Sequence, residues 1–417
     1  MRAKKTVIGI ALGAVLVSGS PARAAEDASL VRVSIGANGW PSNGSSRSPS
    51  ISADGSLIVF HSQASNLLPD GSGGDGIYLK NVATGELSRV AWGRQPTLSP
   101  DGRYVSFLSS SALVPEDTNG KFDVYVRDLQ EGVTTRVSVA TDGTQADAES
   151  TEAAISANGR YVVFTSTATT LVPGSTPTYK KVFVHDRETA TTIEASVRPD
   201  GHSATGGDSM FASISADGRY VAFASRAKDV VATRPPAGYT VAHVRDLVTG
   251  TTRRIPSGFV KGTVTLSGDG RYAAFYDSLS TLVPGDTNRV QDTYRVDLTT
   301  DEIIRVNVAD DGTQADRDGG YASQPVPLSA DGRFAFFESG ATNLVPGDTN
   351  NRRDVFIRDA VAGTTTRVSV DGEDSRASAA SYVGAISADG TAAAYWSEIP
   401  QEAADTNKLA DIYLWRN

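Results

Sequence analysis

Four times the chain writes the same acidic loop, Asp-Thr-Asn-x-x-x-Asp, at Asp117/Asn119/Asp123, Asp286/Asn288/Asp292, Asp348/Asn350/Asp354 and Asp405/Asn407/Asp411. Side-chain oxygens at the first, third and seventh positions of a tight loop are the donors a hard cation takes, with backbone carbonyls and water filling the remaining places. These twelve residues are therefore candidate ligands for calcium. The loop lacks the central glycine and closing glutamate of an EF-hand, and it also suits an Asx-type turn whose carboxylates accept backbone N–H groups. The chain offers its own comparison. The three positions become Ser175, Pro177 and Lys181 in the third repeat, Pro235, Ala237 and Val241 in the fourth, and Asp70, Ser72 and Gly76 in the first. Mostly the three are lost together, as groups that act as a unit should be.

Catalytic constellations are thin. His61, His185, His202 and His243 fall in different repeats without metal-type spacing, and each reads as a strand or loop residue. No Gly-x-Ser-x-Gly elbow and no phosphate loop occur. Zero cysteines exclude disulfides, thiolate zinc sites and thiol catalysis. Acidic residues are numerous enough that a glycosidase pair of carboxylates stays open by count, although nothing singles one out. Trp40, Trp92, Tyr179, Tyr239 and Phe259 fall in loops, where rings can stack on sugar or protein.

The chain opens as an exported protein does. Arg2, Lys4 and Lys5 precede an apolar run from Thr6 to Ser20, and Ala22-Arg23-Ala24 has the small-x-small form of a signal-peptidase site. Cleavage after Ala24 leaves 393 of the 417 residues and, by removing four cations, takes the formal charge from −9 to −13. The run is too short to anchor in a membrane. So acidic a product is a poor partner for nucleic acid or an anionic membrane. The expectation is a soluble, secreted monomer.

The elements that must position the acidic loops follow a repeat. Its ruler is a Ser-x-Asp/Asn-Gly turn at Asp54, Asp101, Asn158, Asp217, Asp269, Asp331 and Asp389, spaced by 47, 57, 59, 52, 62 and 58 residues. A short apolar run precedes each mark (QPTLS, PVPLS) and another follows (YVSFLS, FAFFES). A third (DVYVRD, DVFIRD) and a fourth (TTRVSV) complete the unit. These runs, rich in Val, Phe, Ile and Thr and bounded by Gly, Asp and Asn, read as strands. The seventh repeat ends at Asn417 before its fourth strand. The missing piece is at the other end of the chain, Leu30-Val31-Arg32-Val33-Ser34-Ile35. A repeat split between the termini predicts an all-β, seven-bladed propeller of four-stranded blades over 25–417, with residues 30–35 completing the last blade.

The Ser-Pro/Ala-Asp-Gly turn and the run ending in Phe and Ser resemble the TolB-like class of propeller repeats. More closely, LVPGDTN, DVFIRD and TTRVSV are similar to repeats of secreted bacterial propellers. The resemblance covers nearly all of residues 29–417. It implies the propeller fold and, for function, a class that includes interaction scaffolds and appended domains of peptidases. The count of seven comes from this sequence, since TolB-like modules are often six-bladed. Aspartates 128, 186, 246, 297 and 359 end the third strands and are expected to cap the turns that follow. Loops between strands two and three, and between blades, share one face of a propeller, the natural functional face. The expected function is binding of a protein or glycan on that face without catalysis, with calcium in support. The alternative is a secreted carbohydrate-active hydrolase or lyase using loop carboxylates near the channel.

Overall fold

The computed structural model describes residues 29–175, 178–233, 238–320, 324–369 and 380–417. The leader, Pro177, Pro235 and Ala237 lie outside them. Local turn chemistry builds each hairpin. In the second blade Ser99 donates to the Asp101 carboxylate, which also accepts the Arg103 N–H at 3.0 Å. The Ser99 hydroxyl in turn accepts the Tyr104 N–H at 2.9 Å, and Gly102 turns the chain at φ 75°. The blade then runs Arg94–Leu98, Tyr104–Ser109, Asp123–Asp128 and Val133–Arg136, in that order across an antiparallel sheet.

Seven such sheets form, six of them four-stranded among the described residues. The sixth blade departs from expectation. Its sheet has three strands, and the expected first strand at 325–329 is reduced to a bridge from Leu328 to Ala335, a bond from the Phe336 N–H to the Pro327 carbonyl and one from the Ser329 N–H to the Phe334 carbonyl. Pro325 and Pro327 have no N–H to give to a ladder, which leaves the segment short of donors. In the other blades the first strand carries a register shift against the second, between Arg47 and Ser50, Arg94 and Thr97, or Met210 and Ser213, for example.

The termini meet as the split repeat requires. Ser29–Arg32 pairs antiparallel with Asp411–Arg416, Leu30 opposite Trp415, and the Val33 N–H reaches the Ile412 carbonyl at 2.7 Å. The strand is shorter than the expected 30–35, because Ile35 has turned away to bridge Pro41.

Burial is organised between blades. Each apolar cluster joins two successive blades; one unites Phe60 and Ile58 of the first with Ala394 and Ile412 of the last. Within each blade one aromatic of the second strand faces a ring of the third, as in Phe107–Tyr125 at 5.8 Å and Phe164–Phe183 at 5.8 Å. At the axis the turns bond to one another. Ala157 N–H reaches the Ala216 carbonyl, Ala216 the Gly268 carbonyl, Ala330 the Ala388 carbonyl and Ala388 the Ala53 carbonyl, at 2.8–3.0 Å. Ala53 donates to Pro100, and Pro100, lacking an N–H, passes no bond on to the turn of the third blade.

Each turn glycine also lies against the preceding blade. A Cβ on Gly218, at φ 76°, would sit 2.1 Å from the Tyr161 ring, whereas one on Gly174, at φ 82°, would meet nothing within 4 Å. Gly174→Ala should cost about 1–2 kcal/mol from left-handed backbone alone. Gly218→Ala should cost clearly more, because it must also push neighbouring blades apart. Urea midpoints of the two variants measure the difference.

Candidate functional site

The structure brings each sequence-predicted trio together, and what the trio surrounds is an arginine of the fourth strand. In the second blade the Arg136 guanidinium lies 3.3 Å from Asp117 and 3.9 Å from Asp123. Asp117 also accepts the Tyr125 hydroxyl, and Asp123 accepts Ser138 at 2.5 Å and the Asn119 amide at 2.9 Å. The Asn119 oxygen is taken by the Lys121 N–H at 2.8 Å, after a left-handed Gly120. The fifth blade repeats this with Arg305 at 3.4 Å from Asp286 and 3.3 Å from Asp292, and Asn307 in the place of Ser138. There the Asn288 amide donates to Asp292 at 3.4 Å and to the Ala315 carbonyl at 3.0 Å, while its oxygen accepts the Val290 N–H at 3.3 Å. In the sixth, Arg367 stands 3.4 Å from Asp348, while Asp354 accepts Ser369 and Asn350.

The last blade draws the same partners from the far end of the chain. Arg32 lies 3.3 Å from Asp405 and 3.1 Å from Glu402, and Ser34 and Ser42 donate to Asp411 at 2.5 and 2.9 Å. Asn407 donates to Asp411 at 2.8 Å. The Arg32 and Asp405 side chains are each only 2% exposed. The N-terminal strand thus closes the ring with an Arg-x-Ser latch, as Arg136-Val-Ser138 and Arg367-Val-Ser369 do in their own blades.

The asparagines are engaged at both ends of the amide. Asn119, Asn288, Asn350 and Asn407 each turn the amide nitrogen, a donor, toward the second aspartate of the trio. Their oxygens are taken by the backbone N–H two residues on, as an Asx turn requires.

The third blade carries exchanged charges at the latch positions. Lys181 stands where the other blades have the second aspartate, and Glu194 where they have the arginine. The Lys181 ammonium donates to the Ala204 carbonyl, the counterpart of the Ala146 carbonyl that Asn119 uses. Glu194 is buried and accepts the Ser203 hydroxyl. The latch is incomplete where the loops degenerate: Arg89 turns onto the Trp92 ring at 4.1 Å, and Arg254 reaches only the Ser257 carbonyl at 3.4 Å. Among the described residues no group of three or more His, Asp or Glu side chains is placed to hold a metal ion.

On the opposite face a second ionic pattern repeats. Arg103, Arg160, Arg219, Arg271 and Arg333 clamp Asp128, Asp186, Asp246, Asp297 and Asp359 at 2.6–2.7 Å. The same aspartates cap the following turn as expected, Asp128 accepting the Gln130 and Glu131 N–H groups. The clamping arginine is not legible in the sequence as a partner, since it lies 25–27 residues away. The latch arginine does leave a signal: Glu194 replaces it in the one repeat where Lys181 replaces the aspartate.

The histidines stay apart. His61 meets Asp75 at 2.6 Å, and exposed His202 meets Asp200 at 3.3 Å. His185 is buried against the Thr192 hydroxyl, and burial lowers its pKa to about 4. His243 is the ring partner of Phe223 at 5.5 Å, filling a position that is Tyr or Phe in other blades. Of the loop aromatics, Trp40, Trp92 and Phe259 are exposed, at 70%, 51% and 40%. Tyr239 packs on Phe259 at 4.6 Å, and Tyr179 lies 5.9 Å from the Lys181 ammonium.

The class this architecture defines is the seven-bladed β-propeller closed by its N-terminal strand. No protein-family model matches the sequence, and no curated protein does. Solved structures match by fold. The β-propeller domain of the Trilobed protease from Pyrococcus furiosus aligns at a TM-score of 0.55 with 13% identity, over 90% of this chain and 94% of its own. Oligogalacturonate lyase from Vibrio parahaemolyticus aligns at 0.53 with 13% identity, over 93% of each chain. TolB from Acinetobacter baumannii aligns at 0.44 with 13% identity over 78% of this chain, which spans 63% of TolB's length. The Pyrococcus domain has an open velcro topology; here the velcro is shut by Ser29–Arg32.

The two ionic patterns set opposite pH dependences. Hydrogen bonds from Arg103, Arg160 and Arg219 hold Asp128, Asp186 and Asp246 at about 2. A depressed folded pKa gives stability that is present above about pH 4 and lost as pH falls toward 2. Burial acts oppositely on the latch: it raises Asp123, Asp292 and Asp411 and pushes Asp354 up to about 6. Their contribution is present below about pH 4 and lost as pH rises from there, for Asp354 through about 6. Melting temperature should therefore peak at about pH 4 and fall between about pH 4 and 6, and Asp354→Asn should flatten that fall. Separately, Arg32→Ala leaves Asp405 buried without its cation and should cost about 3–5 kcal/mol, read from urea unfolding beside the exposed-clamp variant Arg219→Ala.

Proposed function

We propose that this protein is a secreted, non-enzymatic β-propeller that recognises a protein or glycan on its loop-rich face. The observation that carries the reading is how the repeated ionic residues are spent. Latch and clamp engage them with one another, so the carboxylates that the repeat singles out are structural partners rather than a poised acid and base. What the loop-rich face offers instead is the unrepeated set Trp40, Trp92 and Phe259. Export is supported by the form of residues 1–24. No helix among the described residues is long and apolar enough to cross a membrane.

For the acidic loops we propose the latch alone. Calcium would have to displace a guanidinium already 3.3–3.4 Å from the first aspartate. Melting temperature should then differ little between 10 mM calcium and chelator. Four weak sites, at ten times Kd, would each add about 1.4 kcal/mol, so a rise of several degrees would restore calcium to these loops.

The binding reading is tested by a glycan-array and pull-down screen of the mature protein. Trp40→Ala with Trp92→Ala should lower affinity for the captured ligand about tenfold or more, as loss of an aromatic anchor does. Turnover of any arrayed glycan, abolished by a single carboxylate change, would establish the hydrolase or lyase alternative instead.

A further inference from the structure

The first strands stand together around the axis, neighbour against neighbour. Their described portions carry four charged residues, Arg47, Arg94, Lys261 and Glu152. In a chain of formal charge −9, three cations to one carboxylate is a reversal of sign. The cations occupy one structural position, at the loop-face end of the strand: Arg47 lies opposite His61, Arg94 opposite Leu108 and Lys261 opposite Tyr276. All three are exposed. Arg94 lies over the Phe122 ring at 3.8 Å, and Arg47 over Trp396 at 5.0 Å, where one of its nitrogens also reaches Glu398 at 3.3 Å.

Each cation is preceded on its own inter-blade loop by an exposed aromatic. Trp92 and Phe259 stand two residues before Arg94 and Lys261, and Trp40 lies on the loop leading to Arg47. Beside Arg47 and Arg94 the backbone is strained. Ser48, Gln95, Glu152 and Phe211 are the bulged residues of four successive first strands, at φ 54°, 52°, 58° and 57°. Such conformations cost about 1–3 kcal/mol each and gather at ligand sites. One of these bulges already holds a carboxylate: the Phe211 N–H donates to Glu152 of the preceding blade at 2.9 Å. At the corresponding place before Gln95 stands Ser48, which brings no carboxylate, with Arg47 and Arg94 alongside.

We propose that this end of the channel is a binding site for carboxylate-bearing polysaccharide, the cations taking uronate groups and the aromatics the sugar faces. The inference rests on the binding reading above and deepens it. Arginine suits a carboxylate because its forked N–H donors match both oxygens. The pairing of ring with cation favours an acidic sugar over an acidic peptide, which has the charge without the stacking face. The bonded turns at the far end leave the loop-rich face as the side of approach.

The test is affinity electrophoresis of the mature protein in calcium-free buffer through gels containing sodium alginate, dextran or polyglutamate. Alginate alone should retard it, and retardation should fall with added salt. Arg94→Glu with Lys261→Glu should lower alginate affinity at least tenfold with an unchanged melting curve; Arg94→Gln, a milder change, should lower it severalfold. Trp92→Ala should weaken alginate binding while leaving the salt dependence in place. Absence of retardation, or retardation equal in the double variant, overturns the proposal. Equal retardation by polyglutamate overturns the assignment to polysaccharide. If alginate fails while Trp40→Ala with Trp92→Ala still loses the screened ligand, the binding function stands and this site falls.

Discussion

The buried ion pair beneath the outer strands of the second, fifth, sixth and last blades is the interaction on which the ring depends. An outer strand is an edge, and the seven edges here are much alike in apolar pattern, so alternation alone does not choose among them or fix register. A guanidinium that must arrive among two carboxylates and an asparagine does both. Burying such charges is costly in itself, and a pair of this kind is weak as a source of net stability. Its use is discrimination: a wrong strand leaves charges unmatched in a dry site. Nowhere does this matter more than in the last blade, where no hairpin delivers the outer strand. Arg32 and Ser34 come to Asp405 and Asp411 across more than 370 residues of chain.

The reversed pair in the third blade supports the same view. Exchanging both signs, Lys181 for aspartate and Glu194 for arginine, keeps opposite charges within electrostatic reach while changing what the edge accepts. A strand carrying Arg-x-Ser would meet an ammonium there. Latch, clamp and the hydrogen-bonded turns at the axis together account for most of the repeated polar residues. The proposed binding function then falls to the residues that these patterns leave over. The exposed aromatics and first-strand cations belong to that remainder, as does the broken first strand of the sixth blade.

Much of the fold was legible because its determinants are local. A Ser-x-Asp-Gly turn folds from its own side-chain bonds, as Ser99, Asp101 and Gly102 do, and seven turns at a steady spacing count the blades. The split repeat even told that the ends must meet. Where the sequence misled, a local cue met a non-local demand. The run PVPLS looks like its six counterparts, yet two prolines withhold the donors a ladder needs. The run through Ile35 looks like a full strand, yet the chain leaves the sheet after Arg32 to enter the next blade.

By itself, then, the sequence determined blade number, strand order, closure and which oxygens gather in each acidic loop, because turns and alternation act within a few residues. Only the tertiary structure decided what those oxygens face. Aspartates at positions one and seven of a loop present the same pattern to a calcium ion and to an arginine, and the choice depends on which side chain the neighbouring strand carries into the space between them. That side chain comes from another strand of the blade or, for Arg32, from the other end of the chain. Spacing along the chain holds no record of that approach, and packing alone brings it about.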